Sequence, residues 1–174
     1  VWNYRLEIFN EISKQYDLTI VHSDPNESRT FDNFNIKYVP VSNIGPLKLH
    51  KINLIKFSRH FDCVVGLYGP QWILILATSL NPFRKYSFSV WGIGVSASYE
   101  KKFDEYTRWD WLRYFLAKKS DSVILYSDYP IKKHVKYGIK EEKIFVAHNT
   151  VATLEFDYNQ IEFKQKDGLL FVGT

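Results

Sequence analysis

Three apolar runs end in residues that could do chemistry. Trp91, Gly92 and Gly94 close one run, Ser127 closes a second, and His148 and Asn149 close a third. An indole face beside bare glycine backbone lets a flat ligand lie close to the chain. A hydroxyl, an imidazole and a carboxamide can hydrogen-bond the hydroxyls of a sugar, and His148 or His22 could also act as a base. Gly92-Ile-Gly94-Val-Ser-Ala97 matches the G-x-G-x-x-[GA] dinucleotide fingerprint. That fingerprint needs a helix opening at its last glycine and an acidic residue after the next strand. Here residues 98–107 are charged without an apolar period, and neither Asp110 nor Asp121 falls at the required place. Two plainer readings stand beside it: a sharp turn at a strand end, or close approach of a ligand with Trp91 beneath it.

Other chemistries find little in the sequence. His22, His50, His60, His134 and His148 show no His-x3-His or Cys–His spacing, so no metal site is expected. There is no Gly-x-Ser-x-Gly elbow and no phosphate loop. The paired lysines at 101–102, 118–119 and 132–133 form no stripe with aromatics between them, which argues against nucleic acid as a partner.

These residues must be positioned by the elements that precede them, and residues 120–150 read as a complete strand–helix–strand unit. Residues 122–126 form a β-branched run that stops at Ser127 and Asp128, both good helix caps. Pro130 suits a first helical turn, and Ile131, His134 and Val135 lead to a stop at Gly138. Residues 143–147 resume as a strand. A short helix between apolar strands implies parallel pairing through a right-handed crossover, and ligands of such sheets bind beyond the strands' carboxyl ends.

Upstream, residues 2–16 carry Ile8, Phe9, Ile12 and Tyr16 at helical spacing, followed by strands at 18–22 and 36–41. Residues 47–61 read as a helix bearing Lys48, His50, Lys51, Lys56, Arg59 and His60. It is either a solvated face or a basic helix making peripheral contact with a membrane surface. A buried strand at 62–67, an apolar helix at 71–80 expected to be sandwiched, a strand at 86–91, a polar loop to 107 and a helix at 108–119 complete the alternation. Residues 152–168 read as a connector and 169–173 as a last strand. The expected fold is α/β: a Rossmann-like, doubly wound parallel sheet with helices on both faces, in three layers.

The bulk composition agrees. Of 174 residues, 45% are hydrophobic and 24% charged, which suits a globular domain with a sizeable core. Aromatics reach 17%, more than folding requires and suited to stacking on sugars or bases. The single cysteine, Cys63, sits in an apolar run and is expected to be buried and inert. With no second cysteine for a disulfide, a reducing compartment is expected, the cytoplasm or the inner face of its membrane. No apolar run approaches the ~20 residues of a membrane span. The chain opens with a helix-like segment and contains no methionine, so an upstream first strand is expected.

Fine sequence adds a resemblance. Tyr126-Ser-Asp, then Tyr137-Gly-Ile, then Lys143-Ile-Phe-Val-Ala-His-Asn-Thr-Val151 resembles the exit from the N-terminal domain of family 4 glycosyltransferases of the GT-B fold. Leu169-Leu-Phe-Val-Gly-Thr174 looks like the strand that opens the second domain of that family. Residues 4–22 are similar to its first helix and second strand. The resemblance therefore covers essentially the whole chain. Ala152 departs from it, since many members have aspartate there.

The resemblance implies residues 1–151 as an acceptor-side Rossmann-like domain, and 152–174 as connector and first strand of a donor-binding domain. It implies a retaining transfer of sugar from a nucleotide sugar to a polysaccharide or lipid-linked acceptor, with the nucleotide sugar as co-substrate and no other cofactor. The family's Glu-x7-Glu pair does not occur in the chain. Catalytic groups are therefore expected in the second domain, the protein's own partner in the intact enzyme, and this chain alone should be inactive. By position, Trp91 to Gly94 match a loop near the reacting sugar, while Ser127 and Asn149 line the cleft. Arg108 is a candidate for an acceptor phosphate and equally a surface charge. Two alternatives stay open: a dinucleotide-binding oxidoreductase or epimerase domain, and a non-catalytic carbohydrate-binding or scaffold domain. If the first strand is missing, residues 169–173 are expected to fill its slot.

Overall fold

The computed structural model describes residues 5–96, 103–107 and 109–148. Residues 97–102 and 108, Asn149, the connector and the expected strand at 169–173 lie outside them. The centre is a parallel sheet of β5 (Cys63–Leu67), β6 (Ser87–Gly92), β7 (Ser122–Leu125) and β8 (Ile144–Val146), hydrogen-bonded in that order. The intervening segments hold α3 (Ile73–Leu80), α4 (Asp110–Lys119) and α5 (Ile131–Lys136). Strands laid down in sequential order through right-handed crossovers place all three helices on one face.

Side chains alternate across a strand, and burial follows that period. Gly66, Phe88, Val90, Val123 and Leu125 are buried and face the helices, packing with Ile75, Tyr114, Leu116 and Ala117. The opposite face is only partly covered: Val65 is 52% exposed and Phe145 56%, while Ser89 is buried. There Ser89 and Ser122 share a hydrogen bond, Oγ to Oγ 2.6 Å. The helix α1 (Leu6–Ser13) reaches that face through Arg5, beside Trp91 and Tyr126. The protein is thus α/β, a parallel sheet flanked by helices, consistent with a Rossmann-like three-layer fold.

Two smaller pairings complete the chain. β1 (Thr19–His22) pairs in parallel with β2 (Asn35–Tyr38), and Phe9 of α1 meets Phe34 edge-on at 5.9 Å. β3 (Val41–Ile44) and β4 (Leu47–His50) form an antiparallel hairpin. Gly45 makes its turn at φ +57°, in the left-handed region that glycine enters without strain. Among the described residues no helix is long and apolar enough to cross a membrane.

Several expectations are corrected. The basic helix over 47–61 does not form. Leu47-Lys-Leu-His50 alternates with period two and pairs with β3, and only α2 (Leu54–Ser58) is helical, opened by the Asn53 side chain accepting from Lys56 N at 2.9 Å. The expected strand over 36–41 breaks at Pro40, which cannot donate to a ladder, so β2 stops at Tyr38 and β3 starts at Val41. Cys63 is exposed, because β5 pairs only with β6 among the described strands and turns Cys63 to the partly covered face. Ser127 and Asp128 do not cap α5. The chain turns through Ile131 N to the Asp128 carbonyl (3.0 Å), and Pro130 precedes the helix with no side-chain cap.

Candidate ligand-binding crevice at the strand ends

The parallel sheet gathers four strand ends on one rim: Tyr68 after β5, Trp91 to Gly94 at β6, Tyr126 and Ser127 after β7, and His148 after β8. On the partly covered face of that rim Arg5, Trp91 and Tyr126 form one unit. The Arg5 guanidinium donates from Nη2 to Tyr126 Oη at 2.6 Å. Its central carbon lies 4.8 Å from the Trp91 ring centre and 5.7 Å from that of Tyr126. The two rings meet nearly perpendicular, 5.9 Å apart and inclined by 75°. A buried guanidinium held by an aromatic face and a phenol keeps the indole in one orientation. Trp91 is half-buried, and its Nε1–H is buried with no hydrogen-bond partner among the described residues.

On the helix face of the same rim lies a polar network. His134 is fully buried, with Nδ1 2.8 Å from the Pro130 carbonyl and Nε2 2.9 Å from Tyr68 Oη. A carbonyl only accepts, so in the neutral ring Nδ1 carries the proton and Nε2 accepts from Tyr68. Burial pushes the His134 pKa below its ordinary 6.5, against the Pro130 carbonyl, while Arg113 and Lys133 push the same way as burial. Burial drives Tyr68 far upward. The pair is a neutral strut. Tyr114 stacks on Tyr137 at 4.0 Å and meets His134 edge-on at 5.3 Å.

The loop after β6 is tied to this network. Asp110, fully buried, pairs with Arg113 and accepts from Thr107 N at 3.1 Å and Ser96 Oγ at 3.3 Å. Asp104 adopts φ +60°, donates its N–H to the Ser96 carbonyl (2.9 Å), and accepts from Lys133 and Tyr129. Every one of these charges has a partner. The network holds the rim in shape.

The residues singled out from the sequence fare differently. Trp91 stands at the rim, and Ser127 follows Tyr126, half-buried. Gly92 and Gly94 serve packing. A Cβ on Gly92 would stand 2.9 Å from Tyr68 Cβ. One on Gly94 would stand 2.6 Å from Leu125 Cδ2 and 3.0 Å from His134 Cε1, at a φ of +83°. Neither glycine leaves backbone bare for a ligand on that side. His148 is exposed, its Nε2 3.9 Å from Asp128 Oδ2, and is not brought to Trp91. His22 ends β1 with its ring 5.7 Å from that of Tyr38. Arg108 and Asn149 fall outside the described residues. Sequence reasoning missed Arg5, Tyr126, Tyr68 and His134. Arg5 is a polar residue outside the apolar positions Ile8, Phe9, Ile12 and Tyr16 of its segment, and nothing local pairs positions 5 and 126. Among the described residues no group of three or more His, Cys, Asp or Glu could hold a metal ion. No protein-family model matches the chain, and no curated protein matches it significantly.

Proposed function

We propose that this domain is the acceptor-binding side of a retaining GT-B glycosyltransferase, holding a carbohydrate at the rim formed by Arg5, Trp91 and Tyr126. One observation carries the reading. A parallel sheet presents, at its carboxyl ends, a tryptophan whose ring is fixed by Arg5 and Tyr126 while it stays half open to solvent. Sugars bind on such rings through their apolar C–H faces while polar neighbours take the hydroxyls. Ser127, half-buried, follows Tyr126 on the same rim. The sequence resemblance points to the same rim.

In this reading the second domain of the pair supplies the nucleotide-sugar site and the catalytic groups, and the acceptor is a polysaccharide or lipid-linked glycan. Titration calorimetry of this chain with oligosaccharides, nucleotide sugars and NAD separates the classes. Binding of an oligosaccharide, with weak or no binding of the nucleotides, supports the assignment. Tight binding of NAD or of a nucleotide sugar, with no oligosaccharide bound, contradicts it.

A further inference from the structure

The helix α4 turns one stripe away from the sheet. Tyr114, Leu116 and Ala117 join the core, while Trp111, Phe115, Lys118 and Lys119 are all exposed. Those four stand at positions i, i+4, i+7 and i+8, so helical geometry sets them on one face. Trp111 is 60% exposed and Phe115 36%. Lys119 Nζ lies 5.8 Å from the Phe115 ring centre, and neither lysine forms an ion pair among the described residues. Two aromatic rings one turn apart, ending in two cations, fit a covering segment that is itself apolar and acidic.

The chain contains such a segment after β8. Residues 152–168 hold Leu154, Phe156, Tyr158, Ile161 and Phe163. They carry Glu155, Asp157, Glu162 and Asp167 against Lys164 and Lys166, four negative charges and two positive, with both lysines after Phe163. Topology brings the segment to the right end of the helix. β8 ends at the carboxyl rim of the sheet, and α4, the crossover from β6 to β7, starts at that rim with Trp111 in its first turn. Neighbouring strands lie about 4.8 Å apart, so a helix above β6 and β7 is roughly 10 Å across the sheet from β8. The residues 147–153 reach up to about 25 Å when extended, which covers that distance. The partly covered face of the sheet is a poorer seat for carboxylates. Asp121 acts on Cys63 there, and Arg5 and Arg84 are already engaged by Tyr126 and Asp121.

We propose that residues 152–163 fold back onto the outer face of α4, with their apolar side chains on Trp111 and Phe115 and their carboxylates towards Lys118 and Lys119. Exposed ion pairs contribute little, so the aromatic contact holds the segment and the charges select the face. Such a seat fixes the direction in which the chain leaves this domain. The proposal rests on neither the carbohydrate reading nor a second domain, and its test contains no sugar.

Carbodiimide cross-linking of the full chain, which joins a carboxylate directly to an amine, followed by peptide mass spectrometry, tests it. Within the monomer, Glu155, Asp157 or Glu162 should link to Lys118 or Lys119 in preference to the other exposed lysines, with a yield unchanged by dilution. Trp111→Ser leaves both lysines in place and should lower that yield roughly tenfold, the change that losing about 1.4 kcal/mol of contact brings. Tyr16→Ser, which alters an exposed ring far along the sequence, should leave the yield unchanged. Links spread over the lysines without preference, links only between chains, or an undiminished yield in Trp111→Ser would overturn the proposal. So would a Trp111 that is protected from a soluble quencher only when anionic vesicles are added, which would assign the face to lipid. The link map comes from the unaltered chain, so it decides the matter even where a variant folds poorly.

Discussion

Tyr68 and His134 are joined by a buried hydrogen bond, Oη to Nε2 at 2.9 Å, across 66 positions of sequence. The turn after β5 is thereby fixed to α5, and Gly92 and Gly94 pass between them. Replacing Tyr68 by Phe leaves the His134 nitrogen buried without a partner, at a cost of about 1–3 kcal/mol. Denaturant unfolding should show that loss, and should show less in the double variant with His134→Leu, which removes both polar partners.

The same histidine sets a pH dependence. Burial holds its folded pKa below the ordinary 6.5. The unfolded chain therefore takes up a proton that the folded chain resists, and stability present above 6.5 is lost as pH falls through the lowered value. His50, also lowered by burial, acts in the same direction. Unfolding free energies measured from about pH 7 to about pH 5 should fall more steeply for the unaltered chain than for His134→Gln.

Gly94 and Gly45 both have positive φ, but only Gly94 is crowded. Gly45→Ala meets open space and should cost about 1 kcal/mol of backbone strain. Gly94→Ala adds collisions with Leu125 and His134 to the same strain and should cost about 3 kcal/mol. Equal losses in thermal or denaturant unfolding would show that packing plays no part at Gly94.

Asp121 ties the start of β7 to β6. Its carboxylate accepts from Arg84 Nη1 and Nη2 at 2.5 and 3.0 Å and from Phe88 N at 2.7 Å. Burial alone would raise its pKa, but the Arg84 and Phe88 hydrogen bonds outweigh it and hold it below 3.8. Its stabilisation is therefore present above 3.8 and lost as acid protonates the folded form. Since the side chain is half exposed and screened, Asp121→Asn should cost only about 1 kcal/mol at neutral pH.

Cys63 is reachable but sluggish. Partial burial and the nearby Asp121 charge raise its thiol pKa above 9.0, which lowers the thiolate fraction near neutrality. Labelling of the folded chain with a disulfide reagent should go to completion, more slowly than for a free cysteine, and accelerate with pH. A chain that labels only after unfolding would contradict the exposed position.

The sequence made the sheet legible where apolar runs were bounded by turn residues. The strands at 62–67, 86–91, 122–126 and 143–147 all appear within a residue or two, as do the helices between the last three. Periodicity failed at 47–61, where a four-residue alternation was too short to outweigh helix-forming neighbours, and cross-strand pairing with β3 decided the structure. Burial of Cys63 was misread because an apolar run does not disclose whether its second face is covered. At the rim, Trp91 was legible from its place at a strand end. Its fixed orientation was not, since it comes from Arg5 and Tyr126, 86 and 35 positions away. Gly92 and Gly94 looked like room for a ligand because sequence does not reveal that Tyr68, Leu125 and His134 already occupy that room.

The indole N–H of Trp91 is the most direct reporter of the proposed site, being buried at the rim with no partner among the described residues. In a 15N-labelled chain, an oligosaccharide that binds should move the Trp91 indole resonance while leaving most other tryptophan resonances in place. Trp91→Phe should weaken that binding at least tenfold, about 1.4 kcal/mol, with little change in unfolding midpoint. A bound oligosaccharide that leaves the Trp91 resonance unmoved, or that binds the folded Trp91→Phe variant equally well, would contradict the account.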